Sequence, residues 1–475
     1  MTDLHLPLDR SAGRLAAQIA AGFRAAVRAG RLTAGTRLPS SRDLARDLEV
    51  SRGVVVTAYE QLIAEGFLTA RRGDGTRVAP LARPDEPAPP RPAMASGPPP
   101  AALVADLVIS HDLRPGRPDL AAFPRERWLA ALRAVLRTAP HDELLTYPDP
   151  GGEPVLRAEL AGYLGRVRAA AATADQVVIM GGVAHGLSTL TRLLADDGHT
   201  RLAVEDPTSD RQIPMLRATG IALDRVPVDG EGLDVAALER TGARAVLVTP
   251  AHQYPTGVVL SPRRRAELVA WARRVDGLII EDDYDAEFRY DRDPVGCLQG
   301  IDPDRVALLG SVSKALAPAL RLGWVVAPPE WAERLRHHRL LNDLGAPALD
   351  QHALAHLLAS GGYDRHLRAM RRRYRARRDA LVGALRTRLP GAVVRGVSAG
   401  IHVYVELPDG CEESAVVAAA AEAGVAVEGA AGMWGPDRGR KAPPALVLGY
   451  AGLGESRLTE AVDLLAGAIT DRARG

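Results

Sequence analysis

Residues 310–324 read Gly-Ser-Val-Ser-Lys-Ala-Leu-Ala-Pro-Ala-Leu-Arg-Leu-Gly-Trp, and their reading decides the fold of most of the chain. Ser311 and Ser313 lead into Lys314, and Arg321 lies seven positions on. Hydroxyls and a guanidinium suit a phosphate ester. Lysine can present a neutral amine for Schiff-base chemistry, which arginine cannot. Of the 60 basic residues only Lys314 and Lys441 are lysine, so a lysine kept here points to work that arginine could not do. Upstream, Glu281-Asp282-Asp283-Tyr284 follows the apolar run Leu278-Ile279-Ile280. Those carboxylates fall at the C-terminal end of a strand, where open α/β sheets bind ligands. A carboxylate there can pair with a ring nitrogen, and a phenol beside it can bond a ring hydroxyl. Asp283 reads as a solvated neighbour.

Similar short apolar runs recur at 177–179, 202–204, 245–248 and 306–309, alternating with helical patterns. This predicts a mostly parallel sheet buried on both faces. From about 345 the chain becomes richer in helix and arginine and reads as a smaller α+β subdomain. Residues 80–100 hold nine prolines and cannot bury a core. As an extended spacer at ~3.1 Å per residue that segment would span roughly 60 Å. The expected organisation is therefore a head at 1–78, a linker at 79–104 and a body at 105–475.

In the head, Leu15, Ile19, Phe23 and Val27 form one apolar helical stripe that Gly30 can end. Ser40, with Asp43 three residues on, starts a second helix, and Ser51 can cap a third that runs to Glu65-Gly66. Residues 67–71 and 76–78, around the Gly73-Asp74-Gly75 turn, predict a hairpin. Three helices and a hairpin make a winged helix-turn-helix. Its recognition helix would begin at Ser51-Arg52-Gly53, with a hydroxyl, a bidentate donor and a small residue for the major groove. Arg42 is set for phosphate contact, and Arg71, Arg72 and Arg77 for the flanking backbone or minor groove. Residues 1–78 carry twelve arginines against eight acids, a surplus that favours a polyanionic partner.

The chain has 475 residues, 47% hydrophobic and 25% charged, and a formal charge of +2, the figures of an ordinary globular protein of more than one domain. Two distant cysteines, Cys297 and Cys411, exclude a disulfide framework and a cysteine zinc site, and no metal is expected. The N-terminus has no signal-peptide pattern, and no apolar stretch is of membrane-spanning length. The expectation is a cytoplasmic protein with no membrane partner.

Two resemblances join these halves. Leu38-Pro-Ser-Ser-Arg-Asp-Leu-Ala45, Val50-Ser-Arg52, Ala58-Tyr-Glu-Gln-Leu62 and Gly73-Asp-Gly-Thr76 resemble the GntR-type winged helix. From Gly116-Arg-Pro-Asp119 onward the chain resembles the fold-type-I aminotransferases, which implies pyridoxal 5'-phosphate as cofactor. The resemblance gives Lys314 the Schiff base, Asp282 the ring nitrogen and Tyr284 the ring oxygen. It gives Arg321, Ser311 and Ser313 the phosphate. Within Thr146-Tyr-Pro-Asp-Pro-Gly-Gly152, Tyr147 is implied to reach the phosphate of a neighbouring subunit. Within Thr249-Pro-Ala-His-Gln-Tyr-Pro-Thr-Gly257, Gln253 or His252 is implied to lie near the ring hydroxyl. Such a head on such a body resembles the MocR-type regulators, with GabR-like and PdxR-like branches, and implies a homodimer that binds operator DNA.

Three positions depart from a working aminotransferase. Val183-Ala184 stand where a phosphate-binding Ser-Gln is usual, which leaves only backbone N–H groups at a helix start. Ser209 stands where an aromatic stacks on the ring, and Val447 where an arginine grips the substrate carboxylate. Loss of a bidentate clamp costs several kcal/mol of binding that an apolar side chain cannot replace. The departures favour a sensor of pyridoxal phosphate over an enzyme. The alternatives are an active aminotransferase with a DNA-binding appendage, and an architectural DNA-binding dimer with a vestigial site. The effector is expected to be the cofactor itself, with an amino acid as the rival.

Overall fold

The computed structural model describes residues 7–71, 74–80, 108–290, 295–436 and 442–473, with side chains to 469. Contacts divide the chain into two compact units, Met1–Leu103 and Val104–Gly475. Arg72, Lys441 and most of the expected linker lie outside the described residues.

In the first unit α1 (Leu15–Arg28) buries Ile19, Phe23 and Val27. Its Phe23 ring meets Tyr59 edge to face, with centroids 5.8 Å apart. The next helix, α2 (Ser41–Asp47), begins as expected at Ser40, whose Oγ accepts from Asp43 N at 3.2 Å. After the break at 48–50, α3 (Arg52–Ala64) starts at Ser51, which makes no side-chain capping bond. Strands β1 (Leu68–Arg71) and β2 (Gly75–Val78) pair antiparallel from Leu68 opposite Val78 to Arg71 opposite Gly75. Leu62, Leu68 and Val78 close the core beneath them.

The second unit begins with β3 (His111–Asp112). Its main sheet is built from β4 (Val177–Met180), β5 (Arg201–Asp206), β6 (Ala222–Asp229), β7 (Gly232–Leu233), β8 (Ala245–Val248), β9 (Leu278–Asp282), β10 (Val306–Ser311) and β11 (Gly323–Val326). The spatial order is β4-β11-β10-β9-β8-β5-β6-β7. The run β10-β9-β8-β5-β6 is parallel, whereas β11 is antiparallel to both neighbours and β7 to β6. Apolar side chains fill β4, β8 and the start of β9 because helices cover both faces of the sheet. Polarity switches at the strand ends: Asp206 ends β5, Asp282 ends β9 and Ser311 ends β10. That edge collects the site.

A smaller antiparallel sheet has β12 (Val393–Arg395), β13 (His402–Glu406), then, beyond β14 (Val425–Ala426), β15 (Glu428–Gly429) and β16 (Ala445–Gly449). Its order is β12-β13-β16-β15. The first strand of the unit, β3, pairs in parallel with β14, so the segment at 110–113 is stitched to this smaller part. The helix Ala348–Ala359 packs against the helices Arg125–Thr138 and Pro154–Arg168 of the larger part. Among the described residues no helix is long and apolar enough to cross a membrane.

Candidate functional site

A cavity of about 250 Å³ opens at the C-terminal edge of the main sheet. The ends of β9 and β10, the loops that follow them and the start of the helix Val183–Asp196 supply its walls. Lys314, Asp282, Tyr284, Arg321, Ser311, Ser313, Val183 and Ala184 all line it, so eight of the residues singled out in the sequence are brought together.

Lys314 lies on the turn after β10, and its Nζ donates to the carbonyl of Gly116 at 2.8 Å. Burial pushes the amine below the ordinary lysine range, against the pull of Asp285 and Asp282. Asp282 is fully enclosed. Gln212 Nε2 donates to its Oδ2 at 3.0 Å, while Oδ1 is buried and has no partner among the described residues. Burial raises this carboxyl to about 6. An acceptor left open this way costs free energy until a donor arrives.

Arg321 has a left-handed backbone, φ 51°, and its guanidinium donates to the Gly181 carbonyl. A Cβ on Gly182 would stand 3.2 Å from that guanidinium, and one on Gly323 would stand 2.7 Å from Gly182 Cα. The glycines let two chain segments close on each other and form a cradle. No side chain caps the helix that begins at Val183, and no acid lies in its first turn, so its positive end faces the cavity.

The loop at 249–257 departs from expectation. Gln253 is buried and spends its amide on the carbonyls of Pro207 and Tyr254 and on Thr256, at 2.6–2.8 Å. It braces the loop and does not line the cavity. His252 is buried one step behind the wall, with Nδ1 3.1 Å from Asp285 Oδ2. Tyr254 and Thr249 line the cavity instead, together with His402 from β13 and Arg211. Arg211 pairs with Glu428 of β15 at 2.6 Å. The sequence reading missed these residues and Asp285; Thr249, Tyr254 and Asp285 lie within or beside strings already singled out, which was the signal nearest to hand, whereas His402 and Arg211 lie outside them. Asp283 is likewise not solvated: Arg168 holds it in a buried pair at 2.7 Å. Ser209 lines the cavity, whereas Val447 is fully buried in an apolar cluster with Tyr404, Met433 and Ala430. Tyr147 is 78% exposed and is not among the cavity-lining residues.

On the head, Arg42, Ser51, Arg52 and Arg71 are exposed, and Arg52 Nε donates to Ser41 Oγ at 3.3 Å. Arg77 already has partners on the wing: it pairs with Asp74 at 2.8 and 3.0 Å and donates to the Gly35 carbonyl at 3.0 Å.

Residues 15–78 match the bacterial regulatory proteins of the gntR family, and residues 118–447 match aminotransferase class I and II. The HTH-type pyridoxine biosynthesis transcriptional regulator PdxR of Corynebacterium glutamicum is 37% identical over 93% of this chain and 93% of its own length. The probable rhizopine catabolism regulatory protein MocR of Rhizobium meliloti is 33% identical over 98% of this chain and 96% of its own. The chain belongs to the MocR-type regulators. Like other MocR-type regulators it is an HTH-type transcriptional regulator with an aminotransferase-like body. That body resembles the kynurenine aminotransferase of Pyrococcus horikoshii, solved with PMP, at TM-score 0.70 and 25% identity, covering 78% of this chain and 92% of that one. It also resembles LysN of Thermus thermophilus, solved with N-(5'-phosphopyridoxyl)-L-leucine, at TM-score 0.69 and 26% identity, covering 78% and 94%.

Proposed function

We propose that this regulator binds pyridoxal 5'-phosphate in the body and reads its presence out as a change in operator binding. The observation that carries the reading is the orphaned Asp282 Oδ1, buried in the cavity that Lys314 and Arg321 also line. A pyridinium N–H is the donor that this acceptor lacks. When bound, the cofactor supplies an electrophilic carbonyl carbon. The depressed Lys314 amine is the group to meet it, Tyr284 bonds the ring oxygen, and Arg321, Ser311, Ser313 and the N–H groups of Val183 and Ala184 hold the phosphate. The working unit is a homodimer in the cytoplasm, with head 1–78, linker 79–104 and body 105–475. In it Tyr147 of each copy reaches the other's phosphate. Ser51 and Arg52 read bases of double-stranded operator DNA, and Arg42, Arg71 and Arg72 hold its backbone.

Val447 in place of a carboxylate clamp supports sensing over turnover. A second reading, in which an amino acid is the effector, draws support from Arg211 at the cavity wall. Its guanidinium is already held by Glu428, so a ligand carboxylate would have to displace that partner.

The test is operator affinity of the full chain on the DNA upstream of its own gene, with and without pyridoxal phosphate and with candidate amino acids. The cofactor should colour the protein yellow, borohydride should fix it on Lys314, and loading alone should change the affinity. A label on Lys441, or no label, overturns the assignment. An amino acid that shifts both the visible band and the affinity at sub-millimolar concentration establishes the second reading instead.

A further inference from the structure

We propose that His252 and Asp285 act as a positioning pair that fixes Tyr284 as a hydrogen-bond donor into the cavity. The inference rests on the cofactor reading above. His252 and Asp285 are nearly inaccessible, at 4% and 1% side-chain exposure, with Nδ1 at 3.1 and 3.2 Å from the two carboxylate oxygens. Tyr284 Oη lies 3.0 Å from the same Nδ1 and 3.0 Å from the His252 carbonyl oxygen. An ionised carboxylate only accepts, so Asp285 requires the hydrogen of His252 to sit on Nδ1. A protonated Nδ1 cannot accept from the phenol; at 3.0 Å it can only donate toward the phenol oxygen, and it is this donor, shared with Asp285, that turns the phenol hydrogen away from the imidazole. The Tyr284 hydrogen then has two destinations, the His252 carbonyl and an acceptor in the cavity. Without Asp285 the imidazole could present a bare Nδ1 and draw that hydrogen away from the cavity, as a misplaced tautomer does behind a metal ligand.

The packing leaves the pair one arrangement. A Cβ on Gly400 would meet Asp285 Oδ2 at 2.3 Å and His252 Cε1 at 2.4 Å. Beside His252, on the cavity side, stands His402, its ring centroid 5.0 Å away, with Nε2 donating to the Pro255 carbonyl at 3.2 Å. Burial and the neighbouring His252 hold His402 down at about 4, so it is neutral. The other ionisable groups around this cluster are Lys314, Asp282, Tyr254 and Glu205. The side chains of His252, Asp285 and His402 come close enough to suggest a cation cage, but hydrogen bonds already account for their contacts.

The test is the pH midpoint of the visible absorbance of the cofactor-loaded full chain. A donor to the ring oxygen stabilises its anion and lowers the midpoint. His252→Phe, which keeps a ring but no donor, should raise the midpoint by about one pH unit, a tenfold change in the proton equilibrium. Asp285→Asn should move it the same way. His252→Asn, whose amide nitrogen can stand in for Nδ1–H, should restore the native value. In a Tyr284→Phe background His252→Phe should add nothing, because the pair acts through the phenol. An unchanged midpoint in a loaded His252→Phe chain overturns the proposal. So does an equal shift with and without Tyr284, which marks a merely structural role. A native chain that takes up no cofactor overturns the underlying reading as well.

Discussion

Ionising a buried carboxylate is costly, and Asp282 is enclosed with one oxygen bonded to Gln212 and the other left open. Its raised value, about 6 against 3.8, fixes the sign of a pH effect in the empty protein. The native state holds the proton more tightly than the unfolded chain, so the contribution is full below the unfolded value and is lost as pH rises through 6. The loss approaches about 3 kcal/mol, taking ~1.4 kcal/mol per unit. Empty Asp282→Asn protein, which never ionises there, should resist urea better than native protein at pH 8, with the gap narrowing at pH 5. With pyridoxal phosphate added the order should reverse, since the amide offers the ring nitrogen no charge. A gap of equal size at both pH values would remove Asp282 from this account. Asp282, Lys314 and Arg321 were readable in the sequence because each lies in a short string tied to a strand end. His402 and Arg211 were not, because they come from segments remote from those strings. Asp285 was passed over because its partner, His252, is 33 positions away and meets it only through the packing around Gly400.

At the scale of elements, the DNA contacts proposed for the start of α3 and the start of α2 predict different outcomes. Arg52→Ala should cost ~1–3 kcal/mol of specific binding and relax preference at one or two base pairs. Arg42→Ala should weaken all duplexes alike and flatten the salt dependence. Titrations on operator and scrambled duplexes at several salt concentrations distinguish the two. Sequence preference untouched by Arg52→Ala would mean that α3 does not enter the groove. The helices of the head were legible because their apolar spacing and capping residues are local signals. In the main sheet, β4, β5, β8, β9 and β10 announced themselves as continuous apolar runs. By contrast β6, Ala-Leu-Asp-Arg-Val-Pro-Val-Asp, is only half-buried and is broken by Asp224, Arg225 and Pro227, so it carries no such run. The bonds of Arg77 were half legible: Asp74 is three positions away, but nothing local in the string shows that Gly35, 42 positions away, presents its carbonyl to the wing.

For the whole molecule, exposed apolar residues mark the face on which the proposed second copy would sit. Leu145, Tyr147, Leu341 and Leu344 are 66, 78, 70 and 46% exposed. Gly345 is close enough to Pro148 for a Cβ to stand 3.0 Å from its ring, which brings the two stretches side by side. Leu341→Glu should therefore halve the sedimenting mass of the full chain. Tyr147→Phe should leave the mass unchanged and speed cofactor loss. A monomeric native protein would refute both. The pairing of β3 with β14 has a mechanical meaning. Ser110 and His111 donate to the Gly424 carbonyl, and the same strip runs on to Gly116, whose carbonyl holds Lys314 Nζ. In the language of load paths, a pull applied at Ser110 enters the body along this strip, and its far end is fastened to the amine that would take the cofactor.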